Sequence, residues 1–396
     1  MYGRLPRSVA LRCFVAASAG NCVATATTWM QPMLIRYLVL SKGLNEAVAG
    51  LLLTVEMGAI AVSSMAQARW IPRQHSQKAA LLGTTFAIAA SFATLHVNSY
   101  PALFILRALV GLGCGVTVMV NNIVAANSPD PEKLYGRMGC VNLLFGSLIV
   151  WAFDGLTKLD ATATPFTILA LGLLVLLPFV ALLPKFSEFD HAAGLGTAGH
   201  RAAGHSSIGK FTILLAVVNF AIVVCSGMAW SLYGLIGERA HLSTEFVDAA
   251  ITASIITGFV GMGLPAILGS SIGRIGPFTI SLFLMAGAIL VLTSSPSPMA
   301  FRVAVCINVA AIYFILPYIS GAAIAVDGSG RSAAYLASVF FVGTAVSPFI
   351  GGSLLSGLGL GFIGKLVVVV SIPVALIYAY VVRAQSARPA MALTSK

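Results

Sequence analysis

The sequence predicts an all-α integral membrane protein whose twelve spans form two six-helix halves. Three observations carry that expectation. Of 396 residues, 58% are hydrophobic and 9% charged, against the roughly 25% charged of a soluble domain. The apolar residues gather into twelve runs near the ~20 residues a membrane-crossing helix needs, not into the alternating segments of about ten that build a barrel. A polar stretch at 185–209, rich in Gly, Ala, Ser and His, separates the first six runs from the last six.

The first run, 9 to 35, follows Arg4 and Arg7 and carries Arg12 near its start, the charge pattern of a secretion signal. It continues for membrane length, carries Asn21 and has no convincing small-x-small cleavage site, so an uncleaved first span is expected. Five further spans are expected at 47 to 69, 79 to 97, 100 to 124, 137 to 157 and 164 to 183. After the linker come 210 to 235, 247 to 269, 276 to 294, 300 to 325, 332 to 355 and 362 to 383. The domain organisation is therefore a bundle at 1–184, a cytoplasmic linker at 185–209 whose composition predicts flexibility, a second bundle at 210–384 and a cytoplasmic tail at 385–396.

Charge placement predicts the orientation. With the N-terminus inside, Arg36, Lys42, Lys158, Arg239, Arg302 and Lys365 fall on outer segments or helix edges, Arg107 lies within a span, and every other Lys and Arg falls on the cytoplasmic side. The positive-inside rule then expects both termini in the cytoplasm and the protein in the cytoplasmic (inner) membrane. The net charge of +11 is scattered over short loops, which argues against a nucleic-acid partner. The expected partners are the lipid bilayer and a small-molecule substrate, and the expected state is a monomer.

No cofactor or metal is expected. Cys13, Cys22, Cys114, Cys140, Cys225 and Cys306 all fall within apolar segments without metal-ligand spacing and read as packing residues. His191, His200 and His205 lie in the glycine-rich linker, at a spacing that fits no recognised site. An enzyme would need a constellation of nucleophile, base or metal ligands, which the sequence does not offer, and a receptor would need sizeable soluble segments.

Buried charge singles out two residues. Glu56 is the one acidic residue set well inside a span, with Asp154 and Asp248 near outer helix ends. Arg107 lies inside the fourth span. Either charge alone is costly in hydrocarbon, so each is a candidate functional residue. Counted from the outer ends, Glu56 lies about 13 Å deep and Arg107 about 10 Å deep, depths at which they can pair. Such a pair is either a proton-operated switch, with Glu56 as the proton-coupling group, or a static tie that sets helix register. The proton gradient is the expected energy source.

Polar stripes mark candidate cavity faces. Asn21, Thr25 and Thr28 recur on one side of the first span, and Asn219, Ser226, Trp230 and Tyr233 on one side of the seventh. Asn121, Asn122 and Asn308 add amides on the fourth and tenth spans. Packing across helices and interfacial belts are the alternative roles for such residues. Pro32, Pro265, Pro317 and Pro348 fall within spans, where they permit bends.

The run Arg107-Ala-Leu-Val-Gly111-Leu-Gly113-Cys-Gly115, in which Gly111 and Gly115 let a neighbouring helix approach closely, resembles the fourth helix of the major facilitator superfamily. Val110 stands where that pattern often has Gln. The segment Gly269-Ser-Ser-Ile-Gly273-Arg274-Ile-Gly276 resembles the superfamily's short cytoplasmic loop motif, with Gly273 in the usual acidic place. Gly343-Thr-Ala-Val-Ser347-Pro348-Phe-Ile-Gly351-Gly352 is similar to its glycine-proline-glycine pattern. The resemblance implies two pseudo-symmetric bundles around a central cavity lined by the first, fourth, seventh and tenth helices, working by alternating access. It implies gating or packing roles for Gly111, Gly113, Gly115, Gly269, Arg274, Gly276, Pro348, Gly351 and Gly352. The function it implies is secondary transport, with Arg107 in the substrate path. One arginine, one acid, amides and aromatics suit a small organic anion or an aromatic or amphipathic compound. The fifth span lacks the Pro-x-x-Gly-Gly of drug antiporters, so a multidrug exporter working as a proton antiporter is the alternative reading, with a non-transport membrane enzyme ranked below it.

Overall fold

The computed structural model describes residues 7–67, 75–97, 99–126, 131–160, 162–183, 209–268, 273–326 and 331–386. Among these there are twelve helices and no strands. In chain order they are α1 (Arg7–Leu40), α2 (Glu46–Gln67), α3 (Ser76–Thr94), α4 (Tyr100–Ala126), α5 (Pro131–Leu159) and α6 (Pro165–Ala181). The second set is α7 (Lys210–Arg239), α8 (Thr244–Leu268), α9 (Ile275–Leu292), α10 (Pro298–Val326), α11 (Arg331–Leu358) and α12 (Leu360–Ser386). Each coincides with an expected span, most of them running a few residues further. Pro32, Pro265, Pro317 and Pro348 sit inside unbroken helices.

The distribution of polarity is that of a membrane protein. Leu82, Trp151, Val175, Ile280 and Leu376 are exposed, whereas Glu56, Arg107, Asn219 and Asn308 are buried. Among the described residues, nine helices contain a stretch long and apolar enough to cross a membrane. The others are α6, with 17 residues, and α1 and α3, whose apolar runs are diluted by Ser, Thr and Asn in the first and by Gln77, Lys78, Thr and Ser in the second. The chain is a multi-pass membrane protein.

Two compact units divide it, Met1–Leu44 with Leu51–His205, and Asn45–Gly50 with Ser206–Lys396. In the first, α1 packs on α4, α5 and α6, and α3 on α4 and α6. In the second, α7 packs on α10, α11 and α12, and α9 on α10 and α12. Every one of these pairings recurs with the helix number raised by six, the sign of an internal repeat.

Local chemistry places the connections. Thr164 caps α6 through a reciprocal box, accepting from the Thr167 N–H while the Thr167 hydroxyl accepts from the Thr164 N–H. Before it, Asp160 accepts from the Thr162 hydroxyl at 2.6 Å and the Thr162 N–H at 2.9 Å, and these bonds hold its carboxyl below the usual carboxylate range. Gly273, which stands where the related loop motif carries an acid, has φ +76° just before α9. A side chain there is strained by the backbone itself. Most of the expected linker lies outside the described residues, apart from Gly209, which caps α7, and so does most of the tail, although α12 continues through Ser386.

Candidate functional site

Five helices of the first unit converge on Glu56 and Arg107. Both side chains are fully buried, and Glu56 Oε2 lies 3.7 Å from Arg107 Nη1. Thr27 of α1 donates its hydroxyl hydrogen to Glu56 Oε1 at 2.6 Å. Arg107 Nη2 donates to Thr94 Oγ1 of α3 at 2.7 Å and reaches Ser91 Oγ at 3.5 Å. The Phe166 ring of α6 lies 4.9 Å from the guanidinium carbon, within range of a favourable contact between cation and ring face. Glu56 Oε2, Arg107 Nε and Arg107 Nη1 are buried without a hydrogen-bond partner. The pair is thus electrostatically engaged but not hydrogen-bonded.

The glycines of α4 set this geometry. A Cβ on Gly111 would run into the Glu56 carbonyl oxygen and the Ala59 side chain, and one on Gly115 would stand 2.6 Å from the Ile60 carbonyl oxygen. These two positions let α2 lie directly against α4. Gly113 faces the other way, where a Cβ would stand 2.5 Å from the Gly83 carbonyl oxygen of α3. The Ser63 hydroxyl donates to the Leu112 carbonyl at 2.7 Å, tying α2 to α4 one turn further along.

The polar stripe of α1 is bound by a residue that the sequence reading did not single out. Asn142 of α5 accepts from Trp29 Nε1 at 2.5 Å and from the Thr25 hydroxyl at 3.1 Å. The Thr25 hydroxyl also lies 2.9 Å from the Asn21 carbonyl. Thr28 is 3.5 Å from Met57 Sδ. Trp29 lies over Gly146, where a Cβ would meet the indole at 2.5 Å. An amide buried in the middle of an apolar span was the signal available for Asn142. Its partners depend on how α1 and α5 are rotated, which one sequence does not show.

In the second unit, Asn308 of α10 joins the residues of α7. It donates from Nδ2 to the Tyr233 hydroxyl at 2.5 Å and accepts from Ser226 at 3.4 Å. Trp230 packs edge-on against Tyr233, with centroids 5.6 Å apart, and Tyr233 packs against Phe301. Asn219 is separate, donating to the Leu336 carbonyl of α11 at 2.9 Å. Gly351 receives Met228 and Leu232, and Gly352 faces the Glu46 carbonyl. Pro348 is buried within α11, Arg274 precedes α9, and Gly276 in its first turn meets nothing within 4 Å. Asn121 and Asn122 lie on α4, with their side chains outside the described residues, as Gly269 is entirely. Asp248, expected near an outer end, is buried in α8, whereas Cys140, expected to pack, is exposed because it falls on the outer face of α5. Among the described residues no cluster of His, Cys, Asp and Glu has the makings of a metal site.

No protein-family model matches the chain, and a search of curated protein sequences gives no match. Solved structures do resemble it. The nucleoside transporter NupG superposes with a TM-score of 0.69 at 11% identity, covering 94% of this chain and 98% of that one. The human organic anion transporter MFSD10 superposes with a TM-score of 0.63 at 14% identity, covering 94% and 99%. The peptide transporter POT superposes with a TM-score of 0.64 at 17% identity, covering 94% and 95%. Identities this low speak to fold alone, and the chain has the twelve-helix fold of the major facilitator superfamily.

Proposed function

We propose that this chain is a secondary transporter that moves a small organic solute across the cytoplasmic membrane by alternating access, coupled to protons through Glu56. The observation that carries the proposal is the Glu56–Arg107 pair, fully buried and 3.7 Å apart without a mutual hydrogen bond. A buried ion pair is weak as a source of stability, since apolar residues of similar volume often serve as well or better. An intramembrane pair with incomplete hydrogen bonding is therefore better explained by function. Proton binding at Glu56 removes the carboxylate charge, loosens its hold on Arg107 and frees α2 to move against α4.

The structures similar to this chain are named for nucleosides, organic anions and peptides, so fold does not select the solute. The chain's own chemistry favours an organic anion or an aromatic compound. Asn21, Thr25 and Thr28 with Trp29 on α1, and Ser226, Tyr233 and Asn308 with Trp230 on α7 and α10, pair hydrogen-bonding groups with ring faces, and Arg107 supplies positive charge once Glu56 is neutral. The charge bias of the loops supports placing both termini in the cytoplasm.

Purified protein in proteoliposomes, with an imposed pH gradient and a panel of organic anions, nucleosides and lipophilic cations, tests this reading. Gradient-driven flux of an anionic or aromatic solute supports it. Flux confined to lipophilic cations makes the protein an exporter of hydrophobic compounds, and flux indifferent to the gradient removes proton coupling.

A further inference from the structure

The first unit carries a small pocket beside the groups that hold Arg107. It has a volume of about 30 Å³ and is lined by Tyr37, Lys42, Thr94, Leu95, Val97, Ser99, Tyr100, Leu103, Thr164 and Phe166. Its mouth is formed by the α1–α2, α3–α4 and α5–α6 connections, which lie on one face. Its inner lining includes Thr94 and Phe166, the two groups that hold the Arg107 guanidinium from α3 and α6. Just beyond them stand three fully buried atoms without a protein hydrogen-bond partner, Glu56 Oε2, Arg107 Nη1 and Arg107 Nε.

A cavity needs about 10–15 Å³ on this measure to hold one water, and the water needs polar partners. The pocket is large enough for about two by that standard, and Thr94, Ser99, Thr164, Lys42 and the two tyrosines bring polar groups to its wall. We propose that this pocket is the hydrated route by which protons reach Glu56, running inside the first six-helix unit, with Phe166 as its inner seal. The Phe166 ring covers the guanidinium and packs edge-on against Tyr37, at 6.0 Å between centroids. A shift of that ring opens the pocket onto the guanidinium, whose Nη1 lies 3.7 Å from Oε2, and pocket water then reaches that oxygen. There a hydronium transfers its proton, forming the carboxylic acid O–H bond and leaving a neutral water.

The charged and titratable groups that act on Glu56 are Arg107 and Cys114, both on α4. The contacts from α1 and α3 are the uncharged Thr27, Ser91 and Thr94, and α6 contributes the Phe166 ring. The pocket adds Tyr37, Tyr100 and Lys42. The Tyr100 hydroxyl is occupied in donating to the Lys42 carbonyl at 2.8 Å, so it braces the mouth.

The proposal rests on the proton-coupled reading above, and its test separates the two. Time-resolved infrared difference spectra of the full chain in lipid, after a pH jump, follow the carboxyl band that is absent in Glu56→Gln. Leu103→Trp fills the deep wall and Val97→Trp, in the α3–α4 connection, fills the mouth without touching the helix core. Phe166→Ala opens the seal. The expected result is a Glu56 band that appears severalfold more slowly in either tryptophan variant and faster in Phe166→Ala, with the same final amplitude. A band that titrates at the same rate in all three variants overturns the route and leaves proton coupling standing. A carboxyl that never changes protonation across the pH range overturns both.

Discussion

Glu56 Oε2 and Arg107 Nη1 stand 3.7 Å apart, close enough to attract and too far to share a hydrogen bond, while Glu56 Oε1 and Arg107 Nη2 are bonded to Thr27 and Thr94 instead. The two charges are held by threonines on flanking helices. Neither carries its counter-ion as a rigid fork, and on the proposed mechanism protonation of Glu56 releases Arg107.

That arrangement predicts strong coupling in a double-mutant cycle. Glu56→Gln or Arg107→Gln alone leaves a buried charge without compensation, at a cost of about 3–5 kcal/mol. The double variant restores neutrality. Thermal unfolding in detergent is expected to show it more stable than the sum of the single losses by about 0.5–3 kcal/mol. Additive losses would contradict the pairing.

Thr27→Val and Thr94→Val each remove a hydrogen bond to a charged group without changing side-chain shape. Each is expected to lower stability by about 1.5–3 kcal/mol, the range for bonds to ions. Thr27→Ser and Thr94→Ser, which keep the hydroxyl, are expected to recover most of that loss in the same unfolding measurement.

The glycines of the motif segments, Gly111 on α4 and Gly276 on α9, divide by what a methyl group would meet. Gly111→Ala places a Cβ against the Glu56 backbone carbonyl, and overpacking of this kind costs about 1–3 kcal/mol. Gly276→Ala meets nothing within 4 Å and is expected to change stability by no more than about 0.5 kcal/mol. Equal melting temperatures for the two variants would disprove the close approach of α2 to α4.

Asn142→Leu removes the acceptor shared by Trp29 and Thr25. The Thr25 hydroxyl keeps the Asn21 carbonyl, and loss of the shared amide acceptor is expected to cost about 1–3 kcal/mol and to change the fluorescence attributable to Trp29, identified by comparison with Trp29→Phe. An unchanged Trp29 emission would mean that the indole is not held by Asn142.

Much of this architecture is legible in the sequence because hydrocarbon makes polarity conspicuous. Apolar length marked the helices, and Glu56 and Arg107 stood out as charges where charge is costly. Their partners did not. Thr27, Ser91, Thr94 and Asn142 look like many other small polar residues in spans, and which of them meets a charge depends on the rotation of one helix against another. Phe166 is equally silent, being an ordinary core residue until a guanidinium lies under its ring. Gly273 illustrates the reverse case. In the sequence it reads as a missing acid, whereas in the structure its positive φ explains the glycine.

On the proposed mechanism Glu56 carries the coupled proton. Its most direct test compares gradient-driven accumulation with solute counterflow in proteoliposomes of the unaltered protein and Glu56→Gln, using the best solute from the panel. Loss of uphill accumulation in Glu56→Gln with counterflow retained is the predicted result. Accumulation that persists undiminished in that variant would contradict the account and leave the buried carboxylate as a tie between α1, α2 and α4.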